Sequence, residues 1–78
     1  MPTLLVWNGY RFRFYSSDRP EPPNVHIVKG SAAAKIWLRS LDVEFSRGYN
    51  EYEMRELMRI VADNRDAWIG KWNDFFGV

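Results

Sequence analysis

The sequence contains no cysteine, which excludes disulfide scaffolds, thiolate metal centres and cysteine nucleophiles. It has a single histidine, His26. A metal site would therefore have to combine His26 with Asp18, Glu21 and Asn24, and no recognised ligand spacing supports that set. Charge of one sign is scarce: eleven Lys and Arg against ten Asp and Glu leave a formal +1, too balanced to declare a nucleic-acid partner by itself. No apolar run approaches the roughly 18–20 residues needed to cross a bilayer. The short apolar start, Leu4 to Trp7, has no basic leader and no small-residue cleavage site, so we expect no signal peptide, no membrane span and a cytoplasmic protein. Glycine-rich phosphate loops, G-x-S-x-G elbows and H-E-x-x-H are also absent. The hydroxyls of Thr3, Ser16, Ser17, Ser31, Ser40 and Ser46 fall in no recognisable triad. We read no cofactor and no metal, and lean away from an enzyme.

What is present is aromatic density. Of 78 residues, 46% are hydrophobic and 17% aromatic, enough for one domain of this size to build a core and too many for intrinsic disorder. The hydrophobic period changes near residue 48. Before it, apolar residues recur every second position, as in half-buried strands. Leu4–Trp7 is followed by Asn8-Gly9, a hairpin signal because both residues tolerate positive φ. Tyr10, Phe12 and Phe14 then alternate with Arg11, Arg13 and Tyr15. Ser16 to Pro23 is a loop with three prolines. Val25 and Ile27 alternate with Asn24, His26 and Val28, and a turn follows at Lys29-Gly30-Ser31. Ala34, Ile36 and Leu38 alternate with Lys35, Trp37 and Arg39. Leu41, Val43 and Phe45 alternate with Asp42 and Glu44, with Ser40 at a bend.

After Gly48 the period is helical. Asn50 is an N-cap candidate, with Glu53 three residues on completing a capping box. Met54, Leu57, Met58, Val61, Trp68, Ile69, Trp72, Phe75 and Phe76 form one stripe, interrupted by Arg65. Asp63-Asn64 and Gly70 leave open whether this is one helix or two, and Gly77 ends it. The fold predicted is a single α+β domain over residues 1–78. A four- to five-stranded antiparallel meander (about 4–46) packs one face on one or two C-terminal helices (about 50–76).

The other sheet face would then carry Arg11, Arg13, Tyr15, Asn24, His26, Lys35, Trp37 and Arg39, together with Val28, Asp42 and Glu44. Cations interleaved with aromatics are the chemistry of a single-strand nucleic-acid platform. The same residues also suit a protein contact, and Trp37 would suit a homodimer seam. Against a binding role, Asp42 and Glu44 could pair with Lys35, Arg39, Arg11 or Arg13, making a self-satisfied solvent face. His26 could act as an acid or base with Asp18, Glu21 or Glu44 as companion. More simply, it is a hydrogen-bonding residue. The Trp68–Trp72 and Phe75–Phe76 spacing reads as core.

Gly9-Tyr10-Arg11-Phe12-Arg13-Phe14-Tyr15-Ser16, Glu21-Pro22-Pro23-Asn24-Val25-His26-Ile27, Gly30 and Ala34-Lys35-Ile36-Trp37-Leu38, followed by Glu56-Leu57, Trp72 and Phe75-Phe76, resemble domain-of-unknown-function family 4160, a family of small bacterial proteins. The resemblance runs from Met1-Pro2-Thr3 to Gly77, and Pro-Pro-x-aliphatic-His is its most specific part. The first histidine of the family's pair falls on Asn24 here, which cannot titrate and is a poor transition-metal ligand. The resemblance implies no particular activity. Family genes often stand beside another small gene in toxin–antitoxin-like arrangements, which implies a short cytoplasmic protein that binds a cognate partner.

Three readings follow. The first is a partner-binding component of a two-gene regulatory or toxin–antitoxin-like module, its partner the product of the adjacent gene and its contact surface the outer sheet face with the Pro20–His26 loop. The second is a direct single-stranded RNA or DNA binder. The third is a small ribonuclease-like toxin that uses His26. We rank them in that order.

Overall fold

The computed structural model describes residues 3–78. Five strands, β1 (Thr3–Trp7), β2 (Tyr10–Arg13), β3 (Asn24–Lys29), β4 (Ala32–Trp37) and β5 (Val43–Arg47), precede one helix, α1 (Glu51–Phe76). The strands form an antiparallel meander in the spatial order β1-β2-β3-β4-β5. The predicted α+β architecture stands, with five strands and a single helix.

The local chemistry accounts for each element. Trp7 pairs with Tyr10 around Asn8 and Gly9, whose φ angles of 48° and 83° suit a primed two-residue hairpin. The sheet's inner face buries Tyr10, Phe12, Phe14, Val25, Ile27, Ala34 and Ile36, joined by Leu38 just beyond β4. Against these lie Leu57, Val61, Trp68 and Trp72 of α1, one helical stripe as the spacing predicts. Phe12 meets Trp68, and Phe14 meets Trp72, with ring centroids 5.5 and 5.0 Å apart. The helix starts on the predicted capping box: Glu53 N–H donates to Asn50 Oδ1 (2.8 Å) and Asn50 N–H to Glu53 Oε1 (3.1 Å). It ends at Gly77 in the left-handed region.

Asp63-Asn64 do not break the helix. Asn64 Nδ2 donates back to the carbonyl of Ile60, one turn earlier, at 2.8 Å. Gly70 costs about 1 kcal/mol relative to alanine, but the buried Trp68 and Trp72 on either side hold it in register. Arg65, which interrupts the apolar stripe, reaches across to the carbonyl of Arg39 from Nη2 (2.9 Å) and Nε (3.2 Å).

Three boundaries depart from the periodicity. β2 stops at Arg13, not Tyr15, because the Tyr15 N–H leaves the ladder and donates to Asp18 Oδ2 (3.0 Å). A short 3₁₀ turn follows at Ser16–Asp18. β4 covers Ala32–Trp37, starting and ending before the alternation that runs from Ala34 to Arg39. The register slips between Lys35 and Ile36, so that Lys35 faces Phe45 while Ile36 faces Val43. The slip is a bulge, and it turns Phe45 away from the core: the ring predicted inward is 38% exposed.

Candidate functional site

All of α1 lies on one side of the sheet, so the opposite face is covered only where the loop between β2 and β3 folds over it. Two rows cross this outer face from β2 to β5. One is Arg13, His26, Lys35 and Phe45; the other is Arg11, Val28, Ala33 and Arg47.

The loop closes the first row at one end. Asp18, itself 7% exposed, brings Oδ2 to 3.3 Å from His26 Nε2. This is ion-pair reach, but the alignment makes no hydrogen bond, and Nε2 is left without a partner. The Tyr15 ring sits edge-on to the imidazole at 4.6 Å. Burial lowers the His26 pKa, and Lys35 works in the same direction while Asp18 opposes it. Glu21 holds Lys35 Nζ at 2.9 and 3.1 Å. Asn24 is fully buried, its amide donating to the Pro22 carbonyl (3.1 Å) and to Glu21 (3.4 Å). Asn24 therefore keeps its expected register on the outer face but is buried beneath the loop that it fastens and offers no contact surface.

The expected self-pairing of the face does not form. Glu44 accepts a hydrogen bond from Trp37 Nε1 (3.0 Å), Glu21 takes Lys35, and Asp18 faces His26. Among the described residues no carboxylate lies within ion-pair distance of Arg11, Arg13, Arg39 or Arg47. Lys35 Nζ also stands 4.7 Å above the Trp37 ring, and the Arg47 guanidinium 5.5 Å from the Phe45 ring. Of the companions read for His26, the fold supplies Asp18. No set of three His, Asp or Glu among the described residues is placed to hold a metal ion.

Of the predicted contact residues, Arg11 and Arg39 are exposed, while Arg13, Tyr15, His26, Lys35 and Trp37 are half-buried. Phe45 and Arg47 belong to the same face and are missed by simple alternation, because the bulge at β5 resets the period. Pro22 and Pro23, in the Pro20–His26 loop expected to share the contact surface, line a groove with Trp37, Arg39 and Ser40.

The profile of a protein family described as "Domain of unknown function (DUF4160)" matches residues 9–73. No curated protein and no solved structure matches the chain. Among the described residues no helix is long and apolar enough to cross a membrane.

Proposed function

The chain belongs to the DUF4160 family, domains of unknown function, and from that premise we propose that it is a partner-binding protein. In this reading it is one component of a two-gene regulatory or toxin–antitoxin-like module and docks the product of the adjacent gene on its outer sheet face. One observation supports the reading above the rest: Arg11, Arg13 and Arg47 stand on the face that α1 leaves open, with no carboxylate partner among the described residues. Arginine in such a setting suits bidentate pairing with carboxylates. Arg59, on α1, is by contrast paired with Glu56 (2.8 Å). The partner's face is accordingly acidic.

A second reading, direct binding of single-stranded nucleic acid, draws on the exposed Phe45 ring beside Arg47, where a base could stack.

The test is affinity for the purified product of the adjacent gene. Arg11→Glu with Arg47→Glu, both exposed, should leave thermal unfolding unchanged and weaken binding at least tenfold. The wild-type complex should weaken as salt rises. Unchanged affinity in the double variant, or no binding by the wild type, would refute the reading. Salt-sensitive binding to an oligonucleotide with no protein complex would favour the second reading.

A further inference from the structure

We propose that the groove formed by Pro22, Pro23, Trp37, Arg39 and Ser40 is the anchor subsite of the partner interface. It takes one apolar side chain that the partner carries next to a carboxylate. The proposal rests on the partner-binding reading and specifies the chemistry of the segment bound.

The groove measures about 330 Å³, ample for a large apolar side chain. Three rings, two of proline and one of tryptophan, make its walls apolar. At its rim Arg39 has no carboxylate within ion-pair distance among the described residues. An apolar pocket with an unpaired guanidinium beside it is complementary to an apolar residue flanked by an acid. Buried Trp and Arg are also the side chains most often dominant in protein interfaces.

Apart from the Arg39 guanidinium at the rim and the buried Asn24 Oδ1, the polar groups around the groove are already engaged, which disfavours a nucleobase. Trp37 Nε1 donates to Glu44, the Asn24 amide donates to Pro22 and Glu21, and Ser40 Oγ accepts from the Asp42 N–H (3.2 Å). A base edge carries several donors and acceptors, and in this groove most of them would lose water without gaining a partner. An aliphatic side chain has no such requirement.

The groove is also held in shape before anything binds, which lowers the ordering cost of association. The Leu38 N–H donates to the Pro23 carbonyl (3.0 Å), tying the proline loop to the end of β4. The indole is fixed by Glu44 on its edge and by Lys35 on its face, and Lys35 is itself held by Glu21. Arg65 clamps the Arg39 carbonyl from α1. Leu41, two residues on, adopts a φ of 65°, unfavourable by roughly 1–2 kcal/mol for a non-glycine residue. Its amide bonded to the Trp37 carbonyl (2.8 Å) and its side chain packed on the core keep it there.

The experiment follows the indole N–H resonance of Trp37 in the full chain, assigned by its loss in Trp37→Phe, during titration with short synthetic peptides. A peptide with one leucine between aspartates should shift this resonance saturably. Replacing the leucine by glycine, or Arg39 by alanine, should weaken binding at least tenfold, and lysines in place of the aspartates should abolish it. Peptide binding that leaves Trp37 unmoved and ignores Arg39→Ala, while Arg11→Glu/Arg47→Glu removes it, would overturn the anchor and leave the open-face reading standing. Absence of binding by the leucine–aspartate peptide, or a Trp37 shift produced by oligothymidylate in its place, would overturn the anchor outright.

Discussion

Arg13 and His26 stand directly opposite each other on β2 and β3, and each carries a buried nitrogen, Nε and Nε2, with no hydrogen-bond partner. Such groups are uncommon in folded proteins, and for His26 the Asp18 carboxylate stands 3.3 Å away. The loop carrying Asp18 and Glu21 closes over this same spot. The cluster thus joins two partly buried side chains of the outer face to the segment that also builds the groove.

The first prediction concerns the protonation of His26. Burial holds its pKa below the ordinary 6.5, Lys35 adds to the effect, and Asp18 partly offsets it. The unfolded chain therefore binds a proton more readily than the folded one, and stability must fall as pH drops through 6.5 toward the folded value. A ring-proton titration of the sole histidine should give a midpoint below 6.5, and Asp18→Asn should move it lower still. Thermal unfolding between pH 7 and 5.5 should decline less in His26→Gln than in the wild type. A midpoint at or above 6.5 would contradict this account.

Tyr10 offers a second titration, at the opposite end of the pH range. Its hydroxyl donates to Glu53 Oε2 at 2.6 Å, joining β2 to the first turn of α1. That bond, with burial second, pushes its pKa up to about 12. Here the folded state keeps the proton longer than the unfolded chain, so the stabilisation is complete below pH 10 and is lost as pH rises toward 12. Tyrosinate absorbance should show one group ionising near 12, and Tyr10→Phe should remove that step.

Much of this was legible in the residues. Tyr10, Phe12 and Phe14 announce an inner face because alternation in a strand is strictly two-fold. Asn50 and Glu53 announce a cap because their reach fits the first turn. Phe45 escaped, since one bulged residue reverses every side chain beyond it, and a bulge is set by pairing with β4 and leaves no local signature. The continuity of α1 across Asp63-Asn64 was equally hidden. Weak local propensity there is outweighed by packing of Val61 and Trp68 on either side. The outer-face residues could be named from the pattern, but not their pairing. Glu21 is 14 positions from Lys35, and the prolines around it mark a loop without showing that it carries Glu21 onto β4. Arg65 looked like a flaw in the helical stripe because its acceptor, the Arg39 carbonyl, lies 26 residues earlier.

A third prediction separates two glycines that share a backbone conformation. Gly48, between β5 and α1, has φ +84°, and a Cβ there would lie 2.8 Å from Ala32 Cβ and 3.0 Å from its Cα. Gly77 has φ +71° with nothing within 4 Å. Alanine at 77 should cost only the left-handed penalty, roughly 1–2 kcal/mol. Alanine at 48 carries that penalty plus a backbone collision that neither Ala32 nor the strand can relieve cheaply. Chemical denaturation should therefore rank Gly48→Ala well below Gly77→Ala, and equal midpoints would refute the assignment.

Phe12 tests the core. It is fully buried and packs on Trp68, so Phe12→Ala should cost about 3–5 kcal/mol. A domain of this length holds roughly 4–12 kcal/mol in total. The variant should thus be largely or wholly unfolded at 37 °C by circular dichroism, whereas Phe12→Leu should remain folded with a lowered midpoint. A Phe12→Ala protein as stable as the wild type would mean that β2 does not anchor α1.

The final prediction concerns the strap from α1 to the turn after β4. Arg65 donates two hydrogen bonds to the Arg39 carbonyl, a geometry that lysine cannot reproduce from a single ammonium. The guanidinium is partly exposed, so its removal should cost global stability only about 1 kcal/mol or less. The local effect should be larger. In Arg65→Ala the turn holding Leu41 at positive φ loses one of its restraints, and the Leu41 amide, bonded to the Trp37 carbonyl, should exchange with solvent faster than in the wild type. Arg65→Lys should resemble the alanine variant, because what the turn requires is the two-pronged donor and not the charge. Amide exchange at Leu41 that is unchanged in both variants would show that the turn is held by the Leu41 side chain and its own hydrogen bond alone.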